Sequence, residues 1–303
     1  MYRRVVLAAL IACTAIAAED IVAEVRAAIS KSDFALGEKL VRDFQTKQGT
    51  TPDMILAVSW LGRGALAAKQ FDRADRYAVQ AGKLALEQLK RRKLDAEANL
   101  PLALGASIEV QAHVMDARGE RDQAVTFLRR ELATYRNTSI RARIQKNIHL
   151  LSLEGKPAPP LDVKAWLGPK PPTLDQLKGK PVVLFFWAHW CSDCKRVAPD
   201  LARLAAEHGL TVVGPTQRYG YVAGGADATP DVETKYIDTI RKEFYSGLSG
   251  MTVPVSEENF RNYGSSSSPT LVFVDRKGIV RLYHPGAMSY PEMVEGAKKI
   301  LAD

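Results

Sequence analysis

The sequence predicts two domains in series, an all-helical one over residues 19–155 and an α/β one over residues 156–303. Two observations separate them. Residues 20–154 carry apolar side chains at three- and four-residue spacing with almost no proline, as amphipathic helices do. Beyond the Pro-rich break GKPAPP (155–160), short continuous apolar runs alternate with helical patterns, as in an α/β sheet. A third observation bears on function: the mature region holds only two cysteines, Cys191 and Cys194, in the stretch WCSDC.

Residues 1–18 read as a secretory signal peptide. Arg3 and Arg4 precede the uncharged run VVLAALIACTAIA, and Ala15-Ile16-Ala17 is a small-x-small cleavage site. Leu10–Cys13 also resembles a bacterial lipobox, in which Cys13 would carry a lipid anchor. The apolar run ahead of Cys13 is short, which favours simple cleavage; either way the chain is expected to be exported. Export disfavours nucleic acid as a partner, although the formal charge is +8, two units of which leave with Arg3 and Arg4. The basic run Lys90-Arg91-Arg92-Lys93 reads as a solvated turn between helices.

In the helical region, small residues recur where antiparallel helices must approach closely. Gly62, Ala74 and Ala81 stand at offsets of 12 and 7, Ala112 and Ala124 repeat the offset of 12, and Gly37 takes the place of Ala74 in a third unit. This resembles a degenerate tetratricopeptide repeat; an irregular helical bundle is the alternative, because the period is not constant.

The α/β region reads in order. VKAWL (163–167) suits a short strand, and PVVLFFW (181–187) a strand buried on both faces. CSDCKRVAPDLARLAAEHG is a helix stopped by Gly209, and LTVVG is a second buried strand. Thr229 and Pro230 open another helix as N-cap and first helical residue. PTLVFVD and GIVRLYH form a hairpin about Arg276-Lys277-Gly278, and SYPEMVEGAKKILAD closes the chain as an amphipathic helix.

The cysteine pair admits three uses. A zinc site needs a second Cys/His pair at ligand spacing, and His113, His149, His189, His208 and His284 are scattered, so no metal is expected. Two inert buried thiols flanking a two-residue gap beside tryptophan would be a coincidence. A redox pair is favoured, its chemistry residing in the Cys191–Cys194 disulfide without any added cofactor.

Three segments together resemble the exported TlpA/ResA-like branch of thioredoxin-fold thiol–disulfide oxidoreductases, over about residues 157–303. They are LKGKPVVLFFWAHWCSDCKRVAPDL, MTVPVSEENFRNYG and SSPTLVFVDRKGIVR, in that order. The resemblance implies a thioredoxin fold, with protein thiols and disulfides as substrates. It also implies an electron donor or acceptor in the membrane or periplasm, and a cis-proline at Pro269 lying against Cys191. Ser268 and Thr270 would then present backbone to a substrate chain, and Trp190 would shield the sulfur. The sequence departs from that pattern at Ser192-Asp193 between the cysteines, at Phe185 where thioredoxins place a buried acid, and in the long loop PTQRYGYVAGGADA (215–228).

A cysteine opening a helix faces unpaired N–H groups and the positive dipole end, which favour its thiolate. Cys191 is therefore expected to be the exposed attacking thiol and Cys194 the resolving one. Asp193 opposes this by about 2 kcal/mol at roughly 7 Å and an effective dielectric of about 20, so the direction of electron flow does not follow from the sequence. Lys195 and His189 could offset Asp193 or simply be solvated. Tyr219 and Tyr221, on the long loop, are expected to wall a substrate groove, since loops at strand carboxyl ends gather sites. The helical domain is expected to serve as a docking surface. A helical-repeat scaffold protein with a thioredoxin-like module of minor or no redox activity is the rival reading, disfavoured by the intact CxxC. A peroxidase would need threonine where Ala188 stands.

Overall fold

Asp20, Asp33 and Thr51 each stand one residue ahead of a helix and accept a backbone N–H from three residues on. Each such cap contributes about 1 kcal/mol. They open α1 (Ile21–Ser30), α2 (Phe34–Gln48) and α3 (Pro52–Ala67) in the computed structural model, which describes residues 20–248 and 250–302. The leader and Cys13 lie outside the described residues. α4 (Phe71–Leu89), α5 (Asn99–Ala117), α6 (Arg121–Thr134) and α7 (Arg141–Ser152) complete the helical domain. The small residues fall where helices cross: a Cβ at Gly62 would sit 3.5 Å from the backbone N of Ala78, and one at Gly37 only 2.8 Å from Leu61. Ala74, Ala81, Ala112 and Ala124 are fully buried in the same core.

The C-terminal domain is a thioredoxin fold. β2 (Val182–Phe186) is central, with β3 (Thr211–Val213) parallel to it on one side and β5 (Thr270–Val274) antiparallel on the other. β6 (Val280–Pro285) pairs antiparallel with β5, giving the order β3-β2-β5-β6. The continuous apolar run of β2 is explained by cover on both faces. Val183 and Phe185 pack under α8 (Ser192–His208), α9 (Pro230–Phe244) and α11 (Tyr290–Leu301). Val182, Leu184 and Phe186 face Phe260 and Tyr263 of α10 (Glu257–Tyr263). The strand expected over 163–167 shrinks to β1 (Trp166–Leu167), which pairs with β4 (Val253–Pro254) in a two-stranded sheet that parallel bridges Val213–Thr252 and Thr216–Val255 tie to the end of β3.

The two domains share a seam. Gly264 closes α10 in the left-handed conformation, at φ 60°, and passes so near the backbone of Gln145 and Lys146 in α7 that a Cβ there would lie 2.2 Å from the Lys146 nitrogen. His149 Nε2 meets the Asn262 carbonyl at 2.8 Å, the His149 ring stands edge-on to Tyr283, and Arg141 pairs with Glu258 at 3.4 Å. The break at 155–160 is itself tied to the sheet: Gly155 donates to Val280, and Ala158 to Gly278.

Candidate active site

β2 runs directly into the cysteine turn, and the turn is clamped to the segment after β3. Trp187, fully buried, donates Nε1–H to the Gly214 carbonyl at 2.9 Å and its backbone N–H to Pro215, while Thr216 Oγ1 donates to the Trp187 carbonyl. This holds Cys191 at the N-cap of α8, where its Sγ accepts the Cys194 N–H at 3.0 Å. Cys191 and Cys194 are joined as a disulfide with Cα atoms 5.3 Å apart. An N-cap sulfur that accepts a backbone N–H is stabilised as thiolate once the bridge opens.

Cys191 is less accessible than the sequence suggested. It is 3% exposed and Cys194 is fully buried, both within the apolar cluster that holds Trp187, Ala188, Val197 and Leu271. Trp190 is itself half-exposed and stands edge-on to Tyr219, with ring centroids 5.5 Å apart. The Ser268–Pro269 peptide is cis. The register Phe186↔Thr270 between β2 and β5 carries Pro269 alongside Trp187, and so beside the cysteine turn. The Pro269 carbonyl is engaged by the Gly286 N–H at 2.8 Å, and Thr270 is buried with its hydroxyl donating to Ser267. Ser268 remains partly accessible.

The charges around the pair differ from the sequence expectation. Asp193 is exposed and paired with Arg196 at 2.8 Å, one turn along α8, so its charge on the sulfur is offset by a neighbour that the sequence reading passed over. The Lys195 ammonium lies over the Phe244 ring, 4.4 Å from its centroid. His189 is not solvated: it is 1% exposed, with Nε2 3.3 Å from Oε1 of Glu233, which is equally buried. Burial pushes the His189 imidazole below its ordinary value, Glu233 opposes that, and Lys195 adds to it.

Glu233 is the residue of the candidate site that sequence reading missed. In the first turn of α9 it resembles any helix-opening acid, yet it shares the buried face with Ile237 and Ile240, at offsets of four and seven. A charged residue in that register was the signal. Its two carboxylate oxygens accept the N–H groups of Tyr219 and Gly220 at 2.5 and 2.8 Å. The loop 215–228 is thereby fixed rather than free, with further bonds from Val222 to Ala226 and from Ala228 to Gly220. Tyr219 and Tyr221 are half-buried, and desolvation raises both hydroxyl pKa values above the ordinary tyrosine value.

A groove of about 670 Å³ opens beside the cysteine turn, at the seam. Trp190, Tyr219 and Ser268 line it from the redox domain, and Arg136, Ser139 and Arg141 from the helical one. Tyr221 does not line it; it packs edge-on against His189 instead. Among the described residues no cluster of side chains suits a metal ion.

A thioredoxin-like domain family model matches residues 176–300, the segment holding the cysteine turn and the cis-proline. The thioredoxin-like protein YneN of Bacillus subtilis (strain 168) is 27% identical over 147 residues, covering 46% of this chain and 76% of that protein. The thiol:disulfide interchange protein DsbE of Xylella fastidiosa (strain 9a5c) is 26% identical over 153 residues, covering 50% of this chain and 71% of that one. Among solved structures, a putative thiol:disulfide interchange protein DsbE from Chlorobium tepidum is 25% identical. It covers 49% of this chain and 96% of its own, with a TM-score of 0.38. The likeness to a thiol:disulfide interchange protein and the vicinal cysteine pair support thiol–disulfide oxidoreductase activity.

Proposed function

We propose that the chain is an exported TlpA-like oxidoreductase that exchanges disulfides with protein cysteines, its tetratricopeptide-like helical domain serving as the docking surface. The observation that carries this reading is the groove: Trp190, next to Cys191 in the chain, forms one wall with Tyr219 and Ser268, and residues 136–142 of the helical domain form the other. A substrate polypeptide laid along it would meet Trp190 and Tyr219 beside the sulfur, and polar side chains of residues 136–141 beyond. Cys191 attacks as thiolate from the N-cap of α8, and Cys194, one turn on, opens the mixed disulfide. An upstream membrane or periplasmic electron partner would reset the pair. The basis for export, and for a lipid anchor at Cys13, is the leader pattern in residues 1–18. No helix among the described residues is long and apolar enough to cross a membrane.

The test compares turnover of a disulfide-bearing protein with that of a small disulfide by the full chain. Trp190→Ala combined with Arg136→Glu should slow the protein substrate by at least about 5-fold and leave the small one within a factor of about two, since an interface anchor of these types carries ~1 kcal/mol or more. If the parent and Cys191→Ser show equal turnover of both substrates, the oxidoreductase reading falls and the scaffold reading replaces it.

A further inference from the structure

Dithiol exchange as proposed gives no redox role to one buried ionisable pair. His189 and Glu233 are each 1% exposed and come from different elements, the turn two residues ahead of Cys191 and the first turn of α9. Nε2 of His189 lies 3.3 Å from Oε1 of Glu233 but makes no hydrogen bond, so that nitrogen is unspent. Three rings wall the imidazole edge-on, those of Tyr219, Tyr221 and Tyr236, with centroids at 5.6, 5.3 and 5.3 Å. Glu233 cannot swing away, because both its oxygens already hold backbone N–H groups of the loop.

The groups facing the imidazole pull in opposite directions. Glu233 favours a proton on it; burial behind the ring wall opposes one, and Lys195 of α8 adds to that. Desolvation raises the Tyr219 and Tyr221 hydroxyls, so both stay neutral at ordinary pH. The result is a fixed site where burial opposes a proton and Glu233 draws one. From His189 the chain reaches Cys191 in two residues, at most ~7 Å of backbone. Phe185, in β2, leaves the cysteines without an acid from the strand, and Glu233 brings one to their neighbourhood from α9 instead.

We propose that His189, positioned by Glu233, is the proton partner of the Cys191–Cys194 couple, binding its proton more tightly when Cys191 is a thiolate than when it is bridged. The inference rests on the dithiol reading above. When a substrate dithiol reduces the bridge, its two S–H bonds break and its own S–S bond forms. Two electrons and two protons pass to the pair. One proton goes to Cys194 Sγ, and the other is divided between Cys191 Sγ and the imidazole. Thermodynamic reciprocity requires the thiolate to favour the imidazolium by as much as the imidazolium favours the thiolate. Two unit charges separated by the ~7 Å reach of that two-residue backbone, at an effective dielectric of about 20, would shift each titration by about one to two pH units.

The experiment follows the His189 ring by NMR in the full chain, oxidised and reduced, with its resonances assigned by their loss in His189→Gln. The His189 midpoint should rise by about one unit or more on reduction. The pH at which Cys191 alkylation is half-maximal should rise by a similar amount in His189→Gln, and by less in Glu233→Gln. A purely structural pair would alter stability and leave the two His189 midpoints equal. Midpoints agreeing within about 0.2 unit in the parent overturn the proposal, whether or not the variants fold. Failure of the dithiol reading shows differently, as absent turnover in a parent chain whose His189 titration can still be compared between redox states.

Discussion

Replacing Gly264 by alanine tests whether the helical domain is seated on the redox domain as the seam implies. Gly264 ends α10 at φ 60°, ψ 32°, and Gly209 ends α8 at φ 62°, ψ 36°, so the two differ almost solely in surroundings. An alanine at either position carries the left-handed penalty of about 1–2 kcal/mol. At Gly209 the added Cβ meets nothing within 4 Å. At Gly264 it would lie 2.2 Å from the Lys146 nitrogen and 2.7 Å from the Gln145 carbonyl carbon, both backbone atoms of a helix anchored by buried Ile144 and Ile148. Overpacking of that kind costs about 1–3 kcal/mol more. Gly209→Ala should therefore lose about 1–2 kcal/mol and Gly264→Ala about 2–5 kcal/mol in urea unfolding. If the seam opens in preference to unfolding, Gly264→Ala should also slow a protein substrate while sparing a small disulfide. Equal losses for the two variants, within about 0.5 kcal/mol and with protein turnover unchanged, would refute the seam as a structural constraint.

Three further outcomes are expected. Cys194→Ser should accumulate mixed disulfides with a protein substrate, visible on non-reducing gels, whereas Cys191→Ser should not; equal trapping would reverse the assignment of attacking thiol. Replacing residues 218–227 by a Gly-Ser turn, which keeps Pro215 and Thr216 in their clamp on Trp187, should slow protein turnover by removing Tyr219 from the groove, while unchanged rates for both protein and small substrates would make the loop ornamental. Glu109 is buried, which works against its charge, but Arg143 and Lys146 outweigh burial and hold its carboxyl well below the usual range. Because the folded value lies below the unfolded one, this stabilisation is fully present above about pH 4–5 and is lost as pH falls through the folded value. Glu109→Gln should cost about 2–4 kcal/mol at neutral pH and flatten the acid limb of stability; urea midpoints between pH 2 and 7 would measure both.

Much of this architecture is determined by local sequence. The period change at 155–160, the uninterrupted apolar run of β2, Gly209 as helix stop and the Pro-Thr and Lys-Gly punctuation of the β5–β6 hairpin each act through a few neighbouring residues, so they can be read along the chain. The cysteine pair was legible for the same reason: its chemistry depends on a two-residue gap at a helix start. What tertiary structure decided are the matters set by residues distant in sequence. Cys191 is buried because it joins an apolar cluster that strands and helices distant in sequence assemble around it. Asp193 is neutralised by Arg196, which a reading centred on the gap between the cysteines passed over. His189 meets Glu233 across forty-odd residues because α9 lays one polar position on its apolar face against the cysteine turn. The groove lies where α10 and α7 meet, an approach that leaves no room for a Cβ at Gly264 and sets residues 136–141 opposite Trp190 and Tyr219. Apolar periodicity says which face of a helix is buried but not what it is buried against, and that choice is made by long-range packing.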